Sequence, residues 1–231
     1  MATDFAKFQK EAGLSFKDEG LLTQAFIHRS YINENKQLGF EHNERLEFLG
    51  DAVLELVITD YLFNKYKDKA EGELTAYRSA LVNADTCASI AINLGMGDYL
   101  LLSKGESKDT GRARQYILAN ALEALIGAIY IDQDYEQARN FIEKNFIPKI
   151  DDIISAKSFI DSKSLFQEKA QEFDGITPMY KTIKETGPDH EKKFTVGVYV
   201  GKDLIASGEG VSKQEAEQSA AREALKVRGW Q

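Results

Sequence analysis

The stretch over residues 43–57 constrains this chain more than any other, because its polar and apolar residues separate when it is wound as a helix. At about 100° per residue, Glu44, Glu47 and Asp51 fall on one stripe, within roughly 60° of one another. Carboxylates on one stripe repel one another, which predicts a cation that faces them; the alternative is a solvated acidic face. The opposite, apolar side comprises Leu46, Leu49, Val53, Leu56 and Val57.

A second helix, predicted over residues 116–130, is apolar almost all round and should therefore be buried. Glu123 nevertheless lies in its middle, with Asn120 one turn earlier and Gly127 one turn later on the same face. A carboxylate in an apolar helix is costly unless it is paired or bound to a metal ion. Gly127 costs about 1 kcal/mol relative to alanine in a helix interior, which predicts close approach by another backbone.

Both anomalies are explained if the two helices pack against each other. Their polar residues would then converge, and the candidate metal ligands are Glu47, Asp51, Asn120 and Glu123. Because oxygen is the only donor type among them, the set favours Mg²⁺ or Mn²⁺ over zinc.

The stretch over residues 43–51 reads Asn-Glu-Arg-Leu-Glu-Phe-Leu-Gly-Asp, and it resembles the signature of the ribonuclease III family at every position. Residues 25–31, residues 71–82 and the second helix resemble the same nuclease domain. The resemblance implies an all-α endonuclease domain over residues 1–154. Residues 3–39 are predicted to form its first two helices.

Composition agrees with an ordinary globular protein but gives weak support to a nucleic-acid partner, because the net charge is −8. Residues 1–158 carry a net charge of −7 and residues 159–231 a net charge of −1, so any RNA contact must use local basic patches. The single cysteine, Cys87, fits a reducing compartment and is interpreted as a core residue. No signal peptide or membrane-spanning run is visible, so a cytoplasmic protein without a membrane partner is expected.

After a linker predicted over residues 155–160, the hydrophobic period changes. Residues 161–231 are predicted to form a helix, three alternating strands joined at the last turn by Gly201-Lys202-Asp203, and a closing helix. This α-β-β-β-α order resembles the double-stranded RNA-binding domain. The fold class is therefore an all-α endonuclease domain followed by a small α+β RNA-binding domain.

The resemblance also implies which residues of the second domain bind RNA. Domains of this family clamp duplex RNA with the first helix and a strand loop in successive minor grooves, and with the N-terminus of the last helix on phosphates. Gln214 stands where many relatives have a second basic residue, which would reduce local affinity. The residues that match these contacts are Gln167, Glu168, His190, Lys213 and Gln214.

By the same resemblance, the protein is an endoribonuclease that cleaves double-stranded RNA to 5′-phosphate and 3′-hydroxyl ends with short 3′ overhangs. Asp51 and Glu123 are implied as catalytic residues, with Mg²⁺ as cofactor, Mn²⁺ as a possible substitute and no organic cofactor. The helical domain is implied to form a homodimer, and Glu44 and Glu71 are implied as auxiliary or interface residues. Implied substrates are ribosomal RNA precursors, structured messenger RNAs and transfer RNA precursors.

Asn120 departs from the family pattern, which has aspartate at this position. Asparagine keeps a carbonyl oxygen but removes one negative charge, so metal affinity should fall; the exchange is either natural or introduced. Two alternatives to the nuclease therefore stay open. One is a catalytically impaired, dimeric protein that binds double-stranded RNA, and the other is a carboxylate-metal hydrolase with a different substrate.

Overall fold

The computed structural model describes residues 4–151, 162–188 and 192–230. It divides into two compact units, residues 1–159 and 160–231. The predicted linker over residues 155–160 lies outside the described residues, so the domain limits at 154 and 161 stay predictions.

The first unit is helical throughout its regular elements, as the sequence predicts. Several of its helices begin after a residue whose side chain accepts a hydrogen bond from the first-turn backbone, such as Asp4, Asn83 and Asp134. Gly13 ends the first helix in the left-handed conformation, with φ of 70°. The helices are α1 (Phe5–Ala12), α2 (Glu19–Ala25), α3 (Arg29–Glu34), α4 (Glu44–Lys65), α5 (Glu71–Leu81), α6 (Ala84–Asn93), α7 (Arg112–Asp132) and α8 (Tyr135–Phe146).

The prediction of two helices over residues 3–39 is wrong, because α1, α2 and α3 all lie there. Between α2 and α3, Ile27 forms a parallel β-bridge with Leu101, and the His28 N–H donates to the Leu101 carbonyl at 3.1 Å. That bridge interrupts the helix and depends on a residue more than 70 positions away, so the local pattern does not contain it.

The two carboxylate-bearing helices, α4 and α7, form the centre of the first unit. Leu118, Leu122, Leu125 and Ile129 of α7 are all buried, as predicted. Leu56, which periodicity places on the apolar side of α4, is 56% exposed. It lies on a strip of α4 that also exposes Phe48 and Phe63.

The second unit contains α9 (Ser162–Asp174), β1 (Met179–Thr186), β2 (Lys193–Val200), β3 (Asp203–Gly210) and α10 (Lys213–Arg228). The strands form an antiparallel sheet in the order β1-β2-β3. Gly201, with φ of 63°, makes the predicted turn between β2 and β3. The buried core of this unit comprises Phe166, Ala170, Val198, Val200, Ala220, Ala221, Ala224 and Leu225. The predicted α-β-β-β-α order is confirmed.

Within the described residues, no helix has the length and apolar character needed to span a membrane.

Candidate active site

Two glycines allow α4 and α7 to cross with their backbones in contact. A Cβ atom on Gly50 would collide with the carbonyl oxygen of Glu123, and it would lie 2.8 Å from the backbone nitrogen of Gly127. A Cβ atom on Gly127 would collide with the carbonyl oxygen of Leu46. The close approach predicted from Gly127 is confirmed, and it places the carboxylate stripe of α4 beside the middle of α7.

Glu123 of α7 is the most perturbed acid of this crossing. Burial, followed by the negative charges of Asp51 and Glu47, raises the pKa of Glu123 to about 8. Burial, followed by Glu44 and Asp51, also raises the pKa of Glu47. Glu47, Asp51 and Glu123 therefore lie near enough to influence one another's ionisation, and their role as metal ligands stays a prediction.

Asn120 is half-buried and lies one turn before Glu123 on the same face of α7. It adds a neutral amide oxygen to this group of carboxylates. We refer to Glu47, Asp51, Asn120 and Glu123 as the acidic site.

The chemistry of the acidic site fits a divalent cation. A carboxyl group whose pKa is raised by burial and by other carboxylates gains most from a nearby positive charge, and hard oxygen donors suit Mg²⁺ or Mn²⁺. In the described part of the chain, no three His, Cys, Asp or Glu side chains are already grouped closely enough to hold an ion.

Cys87 of α6 lies behind the acidic site. It is fully buried, and burial together with the charges of Glu123 and Asp51 raises the pKa of its thiol. A thiol that stays protonated is a poor nucleophile, so Cys87 supports the site as a packing residue, as predicted.

Glu44 stands at the edge of the acidic site, at the start of α4. Its carboxylate oxygens lie 3.6 Å from Nη1 of Arg29 and 3.8 Å from Nδ1 of His42. Arg29, supplied by α3, is therefore one cation that faces the carboxylate stripe, at Glu44. Arg29 lies within residues 25–31, which resemble the nuclease domain of the family, but no local sequence signal predicts that it pairs with Glu44.

Glu71 does not join the acidic site within one chain. It is the first residue of α5 and accepts a hydrogen bond from Thr75 at 2.9 Å. It lines a cavity of about 430 Å³ between α4 and α5, beside Phe63 and Arg78. Glu71 thus borders the exposed apolar strip of α4.

The residues expected to bind RNA occupy two elements of the second unit. Gln167 and Glu168 are exposed on α9. Lys213 and Gln214 are exposed in the first turn of α10, and Lys213 forms an ion pair with Glu185 at 3.2 Å. His190 lies outside the described residues.

Comparison with known proteins now identifies the family. A family profile described as Ribonuclease-III-like matches residues 18–150, and one described as Double-stranded RNA binding motif matches residues 162–228. The chain belongs to the ribonuclease III family.

Individual relatives agree over almost the whole length. The chain is 45% identical over 225 residues to Ribonuclease 3 of Borreliella burgdorferi, which covers 97% of this chain and 91% of that protein. It is also 45% identical over 225 residues to Ribonuclease 3 of Bacillus licheniformis. That match covers 97% of this chain and 90% of that protein. Among solved structures, the nuclease domain of ribonuclease III from Campylobacter jejuni is 42% identical, with a TM-score of 0.55, and covers 62% of this chain and 99% of that domain.

The sequence pattern of this ribonuclease III family member did not predict the exposed apolar strip of α4. Phe48, Leu56 and Phe63 are 81%, 56% and 68% exposed. They are spaced about two helical turns apart, so they lie on one side of α4. The sequence does contain a signal for this strip, because α4 has more apolar residues than one buried side of a helix requires. Periodicity places Leu56 on the apolar side of α4, but it does not show that this side chain is exposed.

Proposed function

We propose that this protein is a metal-dependent endoribonuclease of the ribonuclease III type that cleaves double-stranded RNA. The observation that carries the proposal is the acidic site, where burial and neighbouring carboxylates raise the pKa of Glu123 to about 8 at the centre of the α4–α7 crossing. By family resemblance, the products carry 5′-phosphate and 3′-hydroxyl ends with short 3′ overhangs. We expect the protein to act in the cytoplasm on precursors of ribosomal and transfer RNA and on structured messenger RNAs.

Each residue of the acidic site has a distinct proposed role. Glu47, Asp51 and Glu123 would hold Mg²⁺, or Mn²⁺ in its place, through carboxylate oxygens, and Asn120 would offer its amide oxygen. Bound Mg²⁺ lowers the pKa of a coordinated water and stabilises negative charge on the attacking and leaving oxygens. Asp51 and Glu123 are the residues that we expect to be catalytic, since their carboxylates would help to orient a water towards the phosphorus atom.

The matches to both family profiles favour this nuclease over an RNA-binding protein that has lost catalysis. Three of the four expected ligands are carboxylates, and the two glycines that set the helix crossing are in place. Asn120 would therefore tune a site whose other expected ligands are carboxylates. We expect it to raise the Mg²⁺ concentration that the enzyme needs, because one negative charge fewer faces the cation.

We further propose that the enzyme is a homodimer through the helical unit. The apolar strip of α4 would be buried by the same strip of a second copy, since exposed aromatic residues in a row mark association surfaces. One solved relative, the Campylobacter jejuni nuclease domain, is described in terms of a region involved in dimer formation. Glu71 and Phe63 line the same cavity, so Glu71 would lie at this interface.

The second unit would hold the duplex. Gln167 and Glu168 of α9 would contact one minor groove and the β1–β2 loop with His190 the next, while Lys213 and Gln214 would meet phosphates between them. Recognition of the A-form shape and the 2′-hydroxyls would give a preference for RNA over DNA.

Cleavage of a labelled RNA duplex longer than two helical turns, measured across a Mg²⁺ titration, tests the proposal. The unaltered protein is compared with Asn120→Asp, with Glu123→Gln as the inactive control and a DNA duplex of equal length as the substrate control. We expect cleavage of the RNA alone, none by Glu123→Gln, and a lower Mg²⁺ requirement for Asn120→Asp.

Three outcomes would count against parts of the proposal. Binding without cleavage by both the unaltered protein and Asn120→Asp would favour the binding protein. Equal cutting of RNA and DNA would favour a hydrolase with a different substrate. Identical Mg²⁺ curves for the two active forms would remove Asn120 from the ligand set.

A further inference from the structure

Arg29 is an exposed cation at the border of an acidic site. Its guanidinium lies 3.6 Å from Glu44, and 69% of its side chain is exposed. Glu44 in turn acts electrostatically on Glu47, since its charge helps to raise the pKa of that residue. Arg29 is therefore the positive end of a row of charges that leads from α3 to the acidic site.

The short helix that carries Arg29 is held in place from both ends. The His28 N–H donates to the Leu101 carbonyl at 3.1 Å, and the Ser103 N–H donates to the Ser30 hydroxyl at 3.1 Å. The Lys104 N–H donates to the Glu34 carboxylate at 3.2 Å. These bonds attach α3 to the loop that leads into α7, so Arg29 has a defined position beside both carboxylate helices.

The ion pair between Arg29 and Glu44 is loose. A separation of 3.6 Å between nitrogen and oxygen exceeds hydrogen-bond length, and exposed pairs of this kind contribute little to stability. A guanidinium carries five N–H donors in a planar fork that matches the geometry of a phosphate. The contact with Glu44 thus leaves Arg29 able to bind an oxyanion.

The proposed substrate creates a need for such a group. An RNA phosphate that approaches the acidic site meets Glu44, Glu47, Asp51 and Glu123, and residues 1–158 have a net charge of −7. The repulsion must be offset by bound metal ions and by cations at the edge of the site. Arg29 lies at that edge, and a guanidinium supplies a positive charge there.

We propose that Arg29 is a substrate-contacting residue of the helical unit, which binds a phosphate of the RNA backbone beside the acidic site and leaves Glu44 as it does so. This inference rests on the proposed nuclease function and deepens it, because it assigns a phosphate contact to the catalytic unit in addition to those of the RNA-binding unit.

A purely structural role for the pair gives different expectations. If Arg29 served only to hold Glu44, its removal would act through Glu44 and would have no further effect once Glu44 is neutral. If Arg29 binds phosphate, its removal weakens RNA binding in either background. A double-mutant cycle with Glu44→Gln separates the two roles.

The experiment is single-turnover cleavage of an RNA duplex in saturating Mg²⁺, over a series of salt concentrations, with half-saturating enzyme concentration and maximal rate determined separately. The variants are Arg29→Gln, Arg29→Lys, Glu44→Gln and the Arg29→Gln/Glu44→Gln double variant. Lys7→Gln is the matched control, because Lys7 is 63% exposed and pairs with Glu11 at 3.8 Å on α1. Thermal unfolding confirms that each variant is folded.

We expect Arg29→Gln to raise the half-saturating concentration about 3- to 10-fold, to change the maximal rate much less, and to reduce the slope of log affinity against log salt by about 1. The loss should persist in the Glu44→Gln background. Arg29→Lys, which keeps the charge but not the fork, should recover part of the affinity and the full salt slope.

Several results would overturn the inference. These are an unchanged salt slope for Arg29→Gln, an effect that disappears in the Glu44→Gln background, and an equal loss for Lys7→Gln. If Arg29→Gln does not fold, Arg29→Lys is compared with the unaltered protein. A loss of RNA affinity together with a reduced salt slope in Arg29→Lys would then refute the contact. Absence of RNA cleavage by the unaltered protein would instead refute the proposed function, and this inference with it.

Discussion

Neutralising Glu123 should stabilise the metal-free protein, and the gain should depend on pH. In the unfolded chain this carboxyl ionises near its ordinary pKa of 4.5, whereas burial beside Asp51 and Glu47 raises the pKa to about 8 in the folded protein. Below the lower pKa, Glu123 is protonated in both the folded and the unfolded state, so it does not reduce the free energy of unfolding. As the pH rises from there to about 8, the unfolded state gives up its proton first, so stability falls and then levels off.

The size of the effect follows from the pKa difference. A shift from 4.5 to about 8 corresponds to about 5 kcal/mol if every part of it reports on folding. Glu123 is only partly buried, so water screens the charge and we expect about 2 kcal/mol for Glu123→Gln above pH 8. For a unit of this size, that corresponds to a rise in Tm of roughly 6 °C.

Thermal unfolding in a chelator, at about pH 5 and about pH 9, measures the gain. Glu55→Gln is the control, because Glu55 is exposed on α4 and its neutralisation should leave Tm almost unchanged at both pH values. Added Mg²⁺ should raise the Tm of the unaltered protein more than that of Glu123→Gln. A gain for Glu123→Gln that is absent at high pH, or equal at both pH values, would refute the argument from burial and repulsion.

Three further expectations concern packing, assembly and RNA binding. Gly127→Ala should lower the free energy of unfolding by about 2 kcal/mol or more, because the added methyl group would collide with the backbone of α4. Gly72→Ala is the control, measured by thermal unfolding. Because the space around Gly72 is open, this variant should be neutral or slightly stabilising. Phe48→Glu should convert a dimer to a monomer in sedimentation, and a monomeric unaltered protein would contradict the proposed interface. Glu185→Gln should tighten RNA binding about 2-fold in a titration, because it frees Lys213 from an ion pair, and weaker binding would show that Glu185 positions the lysine.

The acidic site could be predicted from sequence because its signals are local and anomalous. A carboxylate in an apolar helix and a glycine one turn later each violate a helix rule. The crossing of α4 and α7 accounts for the glycine, and it places Glu123 beside the carboxylates of α4, where a bound cation would offset the cost of burying the charge. The strands of the second unit were equally readable, since alternation and the glycine at the last turn are local features.

Other features depend on partners that are distant in the sequence. The interruption between α2 and α3 requires Leu101, and the pairing of Glu44 with Arg29 requires that interruption, because it sets where α3 begins. No periodicity over residues 19–34 contains this information. The exposure of Leu56 is a related case, since periodicity shows that a helix has an apolar side but not whether the solvent or a second copy covers it.

Asn120 exposes a conflict between the folded state and metal binding. A fourth carboxylate beside Glu47, Asp51 and Glu123 would add repulsion where burial already raises the pKa of Glu123. We therefore expect Asn120→Asp to lower the Tm of the metal-free protein at neutral pH, by the equivalent of about 1 kcal/mol, and to increase the stabilisation by Mg²⁺. Thermal unfolding across a Mg²⁺ titration measures both changes, and the two curves should cross. Curves that keep the same order at every Mg²⁺ concentration would show that position 120 does not face the ion.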